Sequence, residues 1–223
     1  MKQLSTYVYL DSTLAKMELE DNLIPNQYFD YPFLLIDNFL TEEESDVILQ
    51  RTVENFPKKA KVVGGFIKKI RNVETYKVDS ISSDIYFSAF QKRQKEIENF
   101  FSTPFLYGTD IQALGYKNGF FYKKHCDNSS EILDGDGNLI SYKLVFPERK
   151  ITTVLFLNSY GENFSGGELL FNYLFDESGN EIKISPKKGS MLVFPSNPIF
   201  SHEVKTVKSG FRLTFVQWHS ILK

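Results

Sequence analysis

Residues 116–128, YKNGFFYKKHCDN, form the stretch whose reading decides the fold. Aromatic residues suited to strands fill it, Asn118-Gly119 supplies a turn, and Asp127-Asn128 closes it with a second turn-former. It reads as a strand, FFYKKH, ending at His125. The rest of the C-terminal half has the same grammar. IQALGY precedes it; KITTVLFLN, GGELLFN, EIKI, SMLVF, HEVKTV and FRLTFVQWH follow. Gly, Asn, Asp, Ser and Pro separate these pieces, about eight in all. Such spacing predicts a β-sandwich or barrel-like roll rather than alternating βαβ units.

Upstream of Asp110 the character differs. Pro32 to Phe39 (PFLLIDNF) reads as a short buried strand. TEEESDVILQRTVENF follows, with Thr41 and Glu44 in capping-box spacing and Val47, Ile48, Val53 and Phe56 as an apolar stripe. A second helix is predicted from about Ser83 to Phe101, with Ile85, Phe87, Phe90, Ile97, Phe100 and Phe101 as its apolar members. Lys92, Arg93, Lys95, Glu96 and Glu98 form its solvated face. Residues 1–30 carry no firm pattern. The expected class is mainly β with flanking helices (α+β), one domain over residues 1–223. Residues 1–109 form an N-terminal helical support region and 110–223 the core.

With 223 residues, 42% of them hydrophobic, the chain can bury a core without staples. Its net charge of -2 argues against binding nucleic acid through bulk charge. The single cysteine, Cys126, excludes an internal disulfide. No signal-peptide pattern opens the sequence and no apolar run is long enough to span a bilayer. A cytoplasmic protein with no membrane partner is expected.

Three histidines are present, His125, His202 and His219. On a strand, residues two apart face the same side, so His125 and Asp127 can reach one point. His202 lies far along the chain, beside another strand-like piece. Two histidines and one carboxylate make the facial triad of non-haem Fe(II) oxygenases, which leaves coordination positions open. Arg212 follows His202 at strand spacing and can point into the same cavity, where its guanidinium suits a carboxylate. Order and spacing together carry this signal; each residue alone has a plainer reading. His219 lacks an acidic neighbour and sits near the C-terminus, so it is expected at the surface. Cys126 should point away from the metal, since adjacent strand residues alternate. Asp134-Gly-Asp136-Gly-Asn138 imitates the start of a calcium loop. Leu139 and Val145 then occupy the positions that need glycine and an acid, so a polar turn is expected instead.

These residues resemble the prolyl-hydroxylase branch of the 2-oxoglutarate and Fe(II)-dependent dioxygenases over roughly residues 32–220. Tyr116 to Asn128 resembles the first metal-binding strand, and Arg149 to Asn158 the strand that follows. Gly166-Gly167-Glu168-Leu169 is similar to a glycine-pair turn, and Lys188 to Phe194 leads into His202-Glu203-Val204, the distal ligand segment. Phe33 to Glu44 resembles the family's N-terminal strand and helix start. The resemblance implies a double-stranded β-helix, or jelly roll. It implies iron ligation by His125, Asp127 and His202, and pairing of Arg212 with the distal carboxylate of 2-oxoglutarate. Tyr116 and Tyr122 would face the cosubstrate, and Trp218 would wall the pocket. Phe156 stands where oxygen-sensing relatives carry a tyrosine, so a hydroxyl from Tyr116 or Thr214 would serve, or Arg212 alone. Collagen-type relatives use lysine at the position of Arg212.

The implied cofactors are Fe(II), 2-oxoglutarate, O2 and ascorbate as reductant. The implied reaction is hydroxylation of a prolyl residue in a peptide or protein, with succinate and CO2 released. Lys61–Tyr76 and Ser129–Glu148 are the candidate lid segments; Gly64-Gly65 suits a mobile loop, and Lys68, Lys69 and Arg71 suit an acidic or peptide substrate. Other substrates remain open, including a small molecule, another amino-acid side chain or alkylated nucleic acid. Against nucleic acid, LTFVQWHS lacks the second arginine of alkylation-repair relatives. A metal-free jelly-roll binding module is the remaining class.

Overall fold

The computed structural model describes residues 1–55, 57–59 and 70–222. Two fully covered strands organise it. β12 (Ile151–Phe156) is buried at every position and pairs antiparallel with β18 (Val207–Ile221), which is buried from Arg212 to Ser220. Strands covered on both faces must lie in the middle of a layered fold. In their register Thr152 faces Trp218, Val154 faces Val216 and Phe156 faces Thr214. The alternate pairs are Ile151 with His219, Thr153 with Gln217 and Leu155 with Phe215. Val154, Phe156, Val216 and Trp218 enter the core inside the roll, while Ile151, Leu155, Leu213 and Phe215 enter a second core under the helices.

The major sheet runs β3 (Leu34–Ile36), β16 (Met191–Pro195), β12, β18, β8 (Gln112–Lys117), β6 (Glu74–Tyr76) and β4 (Lys58–Lys59). β7 (Phe105–Gly108) and β13 (Phe164–Gly166) also pair with β18. The minor sheet runs β1 (Lys2–Gln3), β2 (Tyr9–Leu10), β14 (Leu169–Phe175), β17 (His202–Val204), β9 (Phe121–His125) and β5 (Arg71–Asn72). β15 (Glu181–Ile184) lies on β14. β10 (Ser129–Leu133) and β11 (Leu139–Leu144) form a separate hairpin. The curled antiparallel sheets make the expected jelly roll.

α1 (Glu42–Val53) starts at the capping box: Glu44 N donates to Thr41 Oγ1 at 3.1 Å and Thr41 N to Glu44 Oε2 at 2.9 Å. Its buried face is Ser45, Ile48 and Thr52. Val47 and Val53 of the expected stripe are exposed, and Phe56 lies outside the described residues. α2 (Ser80–Phe101) starts three residues before expectation, because the Asp79 side chain accepts from Ser82 N at 2.8 Å. It lays Tyr86, Ala89, Phe90, Ile97 and Phe101 on the outer face of the major sheet, and Phe87 is exposed.

Four segments differ from the sequence reading. Residues 1–30 hold β1, β2 and a 3₁₀ turn over Leu14–Lys16. Residues before 110 supply seven strands to the two sheets, β1 to β7, besides the helices. Ser129–Glu148 holds the β10–β11 hairpin, two strands the sequence did not suggest; Asp134 caps its expected polar turn, accepting from Asp136 N at 3.0 Å and Asn138 N at 2.8 Å. Of the other candidate lid segment, Gly64, Gly65, Lys68 and Lys69 lie outside the described residues, while Arg71 to Tyr76 form β5 and β6. No helix among the described residues is long and apolar enough to cross a membrane.

Candidate metal centre

The minor sheet brings the three metal-ligand candidates together. His125 ends β9 and His202 opens β17, and the two face each other across the antiparallel ladder. Asp127 stands just past the end of β9, yet still turns toward the same point. Ligand atoms of His125, Asp127 and His202 all lie within 4.8 Å of one another. Nε2 of His125 is 3.9 Å from Asp127 Oδ1, and Nε2 of His202 is 4.0 Å from Asp127 Oδ2.

Neighbouring groups fix these side chains. Nδ1 of His125 meets the carbonyl of Lys123 at 2.9 Å, and Nδ1 of His202 meets that of Phe200 at 3.0 Å. Carbonyls cannot donate, so both Nδ1 atoms carry the proton and both Nε2 lone pairs are free for a metal. Burial, and then His202, push His125 down to about 3, so it stays neutral at ordinary pH. Thr152 Oγ1 donates to Asp127 Oδ2 at 2.7 Å, and Arg149 Nη1 donates to the Asp127 carbonyl at 3.1 Å. Tyr122 stacks on His125 with ring centres 3.6 Å apart and planes 8° apart. One step further out, Asn128 donates to Asp21, which also pairs with Lys150 at 2.6 Å.

Arg212 is 1% exposed, and its Nε has no hydrogen-bond partner. No described carboxylate lies within ion-pair distance of it. Its guanidinium carbon is 4.9 Å from the ring centre of Tyr116, its cross-strand partner, and 5.7 Å from that of Phe156. Burial pushes Arg212 down to about 10, with Tyr116 opposing, so the group remains a cation. A buried cation without a resident anion is costly and suits a site that receives one. Burial also raises the Tyr116 phenol to about 12, leaving it a protonated donor. Thr214 is buried two residues beyond Arg212 on the same face, its hydroxyl 3.5 Å from the Leu114 carbonyl. Gly167 makes room for the arginine: φ is +71° there, and a Cβ would lie 3.1 Å from Arg212 Cδ. The donor set of the triad thus fits a divalent metal, and the buried Arg212 suits an anion.

Trp218 lies opposite Thr152, and the Arg149 guanidinium carbon sits 3.9 Å from its ring centre. Arg149 and Thr152 escaped the sequence reading as site residues. Neither type is diagnostic alone, and only the register on β12 aims Thr152 at Asp127. Cys126 donates its thiol proton to the Ser196 carbonyl at 3.1 Å, and burial raises it to about 12. His219 corrects an expectation. It is buried, stacked 4.9 Å from both Phe90 and Phe105, with Nε2 3.1 Å from Thr153 Oγ1. It lies seven positions after Arg212, an odd offset, so strand alternation turns it to the helix side.

The 2OG-Fe(II) oxygenase superfamily model matches residues 111–220. A PKHD-type hydroxylase of Crocosphaera subtropica is 28% identical over 208 residues, covering 85% of this chain and 79% of that protein. A prolyl-4-hydroxylase of Pseudomonas putida superposes with a TM-score of 0.61 at 20% identity, over 86% of this chain and 93% of that one. The viral collagen prolyl hydroxylase of Paramecium Bursaria Chlorella virus-1, solved with 2OG, gives 0.59 at 24%, over 85% and 96%. A prolyl hydroxylase of Trichoplax adhaerens, solved with a hypoxia inducible factor peptide, gives 0.64 at 19%, over 84% and 83%. Those superpositions establish the shared fold. The family match and the curated relative support the 2OG-Fe(II) oxygenase superfamily. Within it, the likeness falls on the prolyl 4-hydroxylase branch.

Proposed function

We propose that this protein hydroxylates a prolyl residue in a peptide or protein, using Fe(II), O2 and 2-oxoglutarate, with succinate and CO2 as co-products. The observation that carries the reading is the His125, Asp127 and His202 cluster beside the partnerless cation of Arg212. His125 and His202 would ligate through Nε2 and Asp127 through Oδ1, the oxygen that Thr152 leaves free. The metal, when bound, supplies activation of dioxygen coupled to decarboxylation of the 2-oxo acid. Arg212 would hold the distal carboxylate of 2-oxoglutarate by a two-pronged hydrogen bond, with a hydroxyl from Tyr116 or Thr214 beside it. That replaces the donor that Phe156 cannot be. Tyr122 and Trp218 would keep water from the pocket. No side chain is needed as nucleophile or general base. Ascorbate would serve as reductant for turnovers that fail to couple.

The test is succinate release by purified protein with Fe(II) and ascorbate, with and without proline-containing peptides. The expected result is slow release that a peptide accelerates, with one oxygen atom added to its proline. Release that no proline peptide accelerates would remove the prolyl substrate and keep the oxygenase.

A further inference from the structure

A groove of about 820 Å³ opens away from the metal centre, and none of its lining residues belongs to the triad or to the surroundings of Arg212. Four stretches far apart in the chain enclose it. They are Tyr7 in the β1–β2 turn, residues 29–35 leading into β3, Phe100 at the end of α2, and the β14–β15 hairpin. Its floor is Phe33, which stacks on Phe171 with ring centres 5.3 Å apart, so Phe171 stands between the groove and His202.

The groove runs along strand edges. Phe33, Leu34 and Leu35 line it in succession, and so do Glu181, Ile182, Lys183 and Ile184. Adjacent strand residues point to opposite faces, so a groove that meets every residue in a row lies beside the strand's edge. β3 ends the major sheet and pairs only with β16, while β15 pairs only with β14. Among the described residues, neither edge has a strand beside it, and no backbone group bonds the outward N–H and C=O groups of either. Such an edge is a template for an added strand. The side chains around it say what kind. Tyr31 lies 5.3 Å from Phe33 and 5.9 Å from Tyr7, and both tyrosines are close to half exposed, an apolar wall open to solvent. Asp30, Asp176 and Glu181 share the lining with one base, Lys183, and none of the four forms a salt bridge with a described residue. Three carboxylates against one ammonium favour a cationic occupant.

We propose that this groove docks an extended basic segment of a partner protein, which adds as a strand to the β15 edge. Its Lys or Arg side chains would meet Asp30 and Glu181, and its apolar side chains would cover Tyr31 and Phe33. β15 is the longer of the two edges and carries Glu181 itself. The inference does not depend on the oxygenase reading.

Fluorescence anisotropy with labelled eight-residue peptides tests it on the whole chain. The probes alternate Lys or Arg with Val, Ile or Tyr, and control peptides carry Glu at the basic positions. Basic members are expected to bind with Kd on the order of 100 μM, roughly tenfold or more tighter than their Glu counterparts. Asp30→Asn combined with Glu181→Gln should weaken binding about fivefold, since both carboxylates are exposed. Lys183→Glu should tighten it. A strand bonds its neighbour through every second amide, so a peptide N-methylated at alternate residues should lose binding in one phase and keep it in the other. His202→Ala should bind the peptides as the parent does. No basic member binding below roughly 1 mM, equal binding of the Glu peptides, or undiminished binding by both N-methylated phases would overturn the docking site. So would an affinity unchanged in the Asp30/Glu181 variant, or one lost in His202→Ala, which would put the peptide at the metal centre.

Discussion

Arg212 explains itself only through a ligand. Its charge is buried beside two aromatic rings with no described anion in reach. Such a residue costs stability in the empty protein and yields it back when an anion binds. Arg212→Met should therefore leave the ligand-free protein at least as stable as the parent, by about 1 kcal/mol or more in urea unfolding. The same variant should lose the stabilisation that 2-oxoglutarate gives the parent; a variant that still gains it would assign the cosubstrate elsewhere. His219 makes a separate prediction. Burial holds it down to about 3 in the folded protein, against 6.5 when free. As pH falls from 6.5 toward 3 the unfolded chain takes the proton first, so the stability present above 6.5 drains away over that window. The slope from this residue is up to about 1.4 kcal/mol per pH unit. His219→Phe should flatten the acid limb of a stability–pH curve; an unchanged limb would contradict the assignment. Its burial was legible in principle: Arg212, Thr214, Val216 and Trp218 share one face of β18, so His219 must take the other. Judging it by its neighbours and its nearness to the chain end obscured that.

The elements show why some positions were readable and others were not. The His-x-Asp pair was legible because His125 ends β9 and Asp127, two residues on and just past the strand, still turns to the same point. The capping box of α1 was equally plain, since Thr41 and Glu44 need only local geometry. Residues 1–30 gave no signal because their strands are two residues long and carry no period. They are held by individual contacts instead, and Asp21 is the strongest of them. It takes Lys150 at 2.6 Å and Asn128 at 3.0 Å, all largely buried, one residue from the proposed ligand Asp127. Asp21→Ala would strand a buried ammonium and a buried amide. A loss of roughly 3 kcal/mol is expected in chemical denaturation, and a loss below about 0.5 kcal/mol would show that the N-terminal segment is only draped on the core. The β10–β11 hairpin was missed for a different reason. Its exposed face interrupts the apolar pattern with Ile132, Leu133 and Ile140 pointing to solvent, so alternation could not mark the strands.

At the scale of the molecule, one layer serves two cores. β12 and β18 turn Val154, Phe156 and Val216 into the roll and Ile151, Leu155 and Phe215 under α1 and α2. The helical core braces the sheet from outside, and the face inside the roll is left to carry Arg212, Thr214 and Trp218. The class of fold was visible because strand-sized pieces crowd the last half of the chain. Strand order was not, since β5, β6 and β3 arrive from the first half and nothing local says which edge they join. The central claim is that His125, Asp127 and His202 hold one Fe(II) which, with Arg212, receives 2-oxoglutarate. Anaerobic calorimetric titration of Fe(II), followed by 2-oxoglutarate, tests it most directly. The account predicts a single tight Fe(II) site, cosubstrate binding that requires the metal, and loss of both in His202→Ala with the fold retained. Unchanged Fe(II) binding by that variant, or 2-oxoglutarate binding indifferent to the metal, would contradict it.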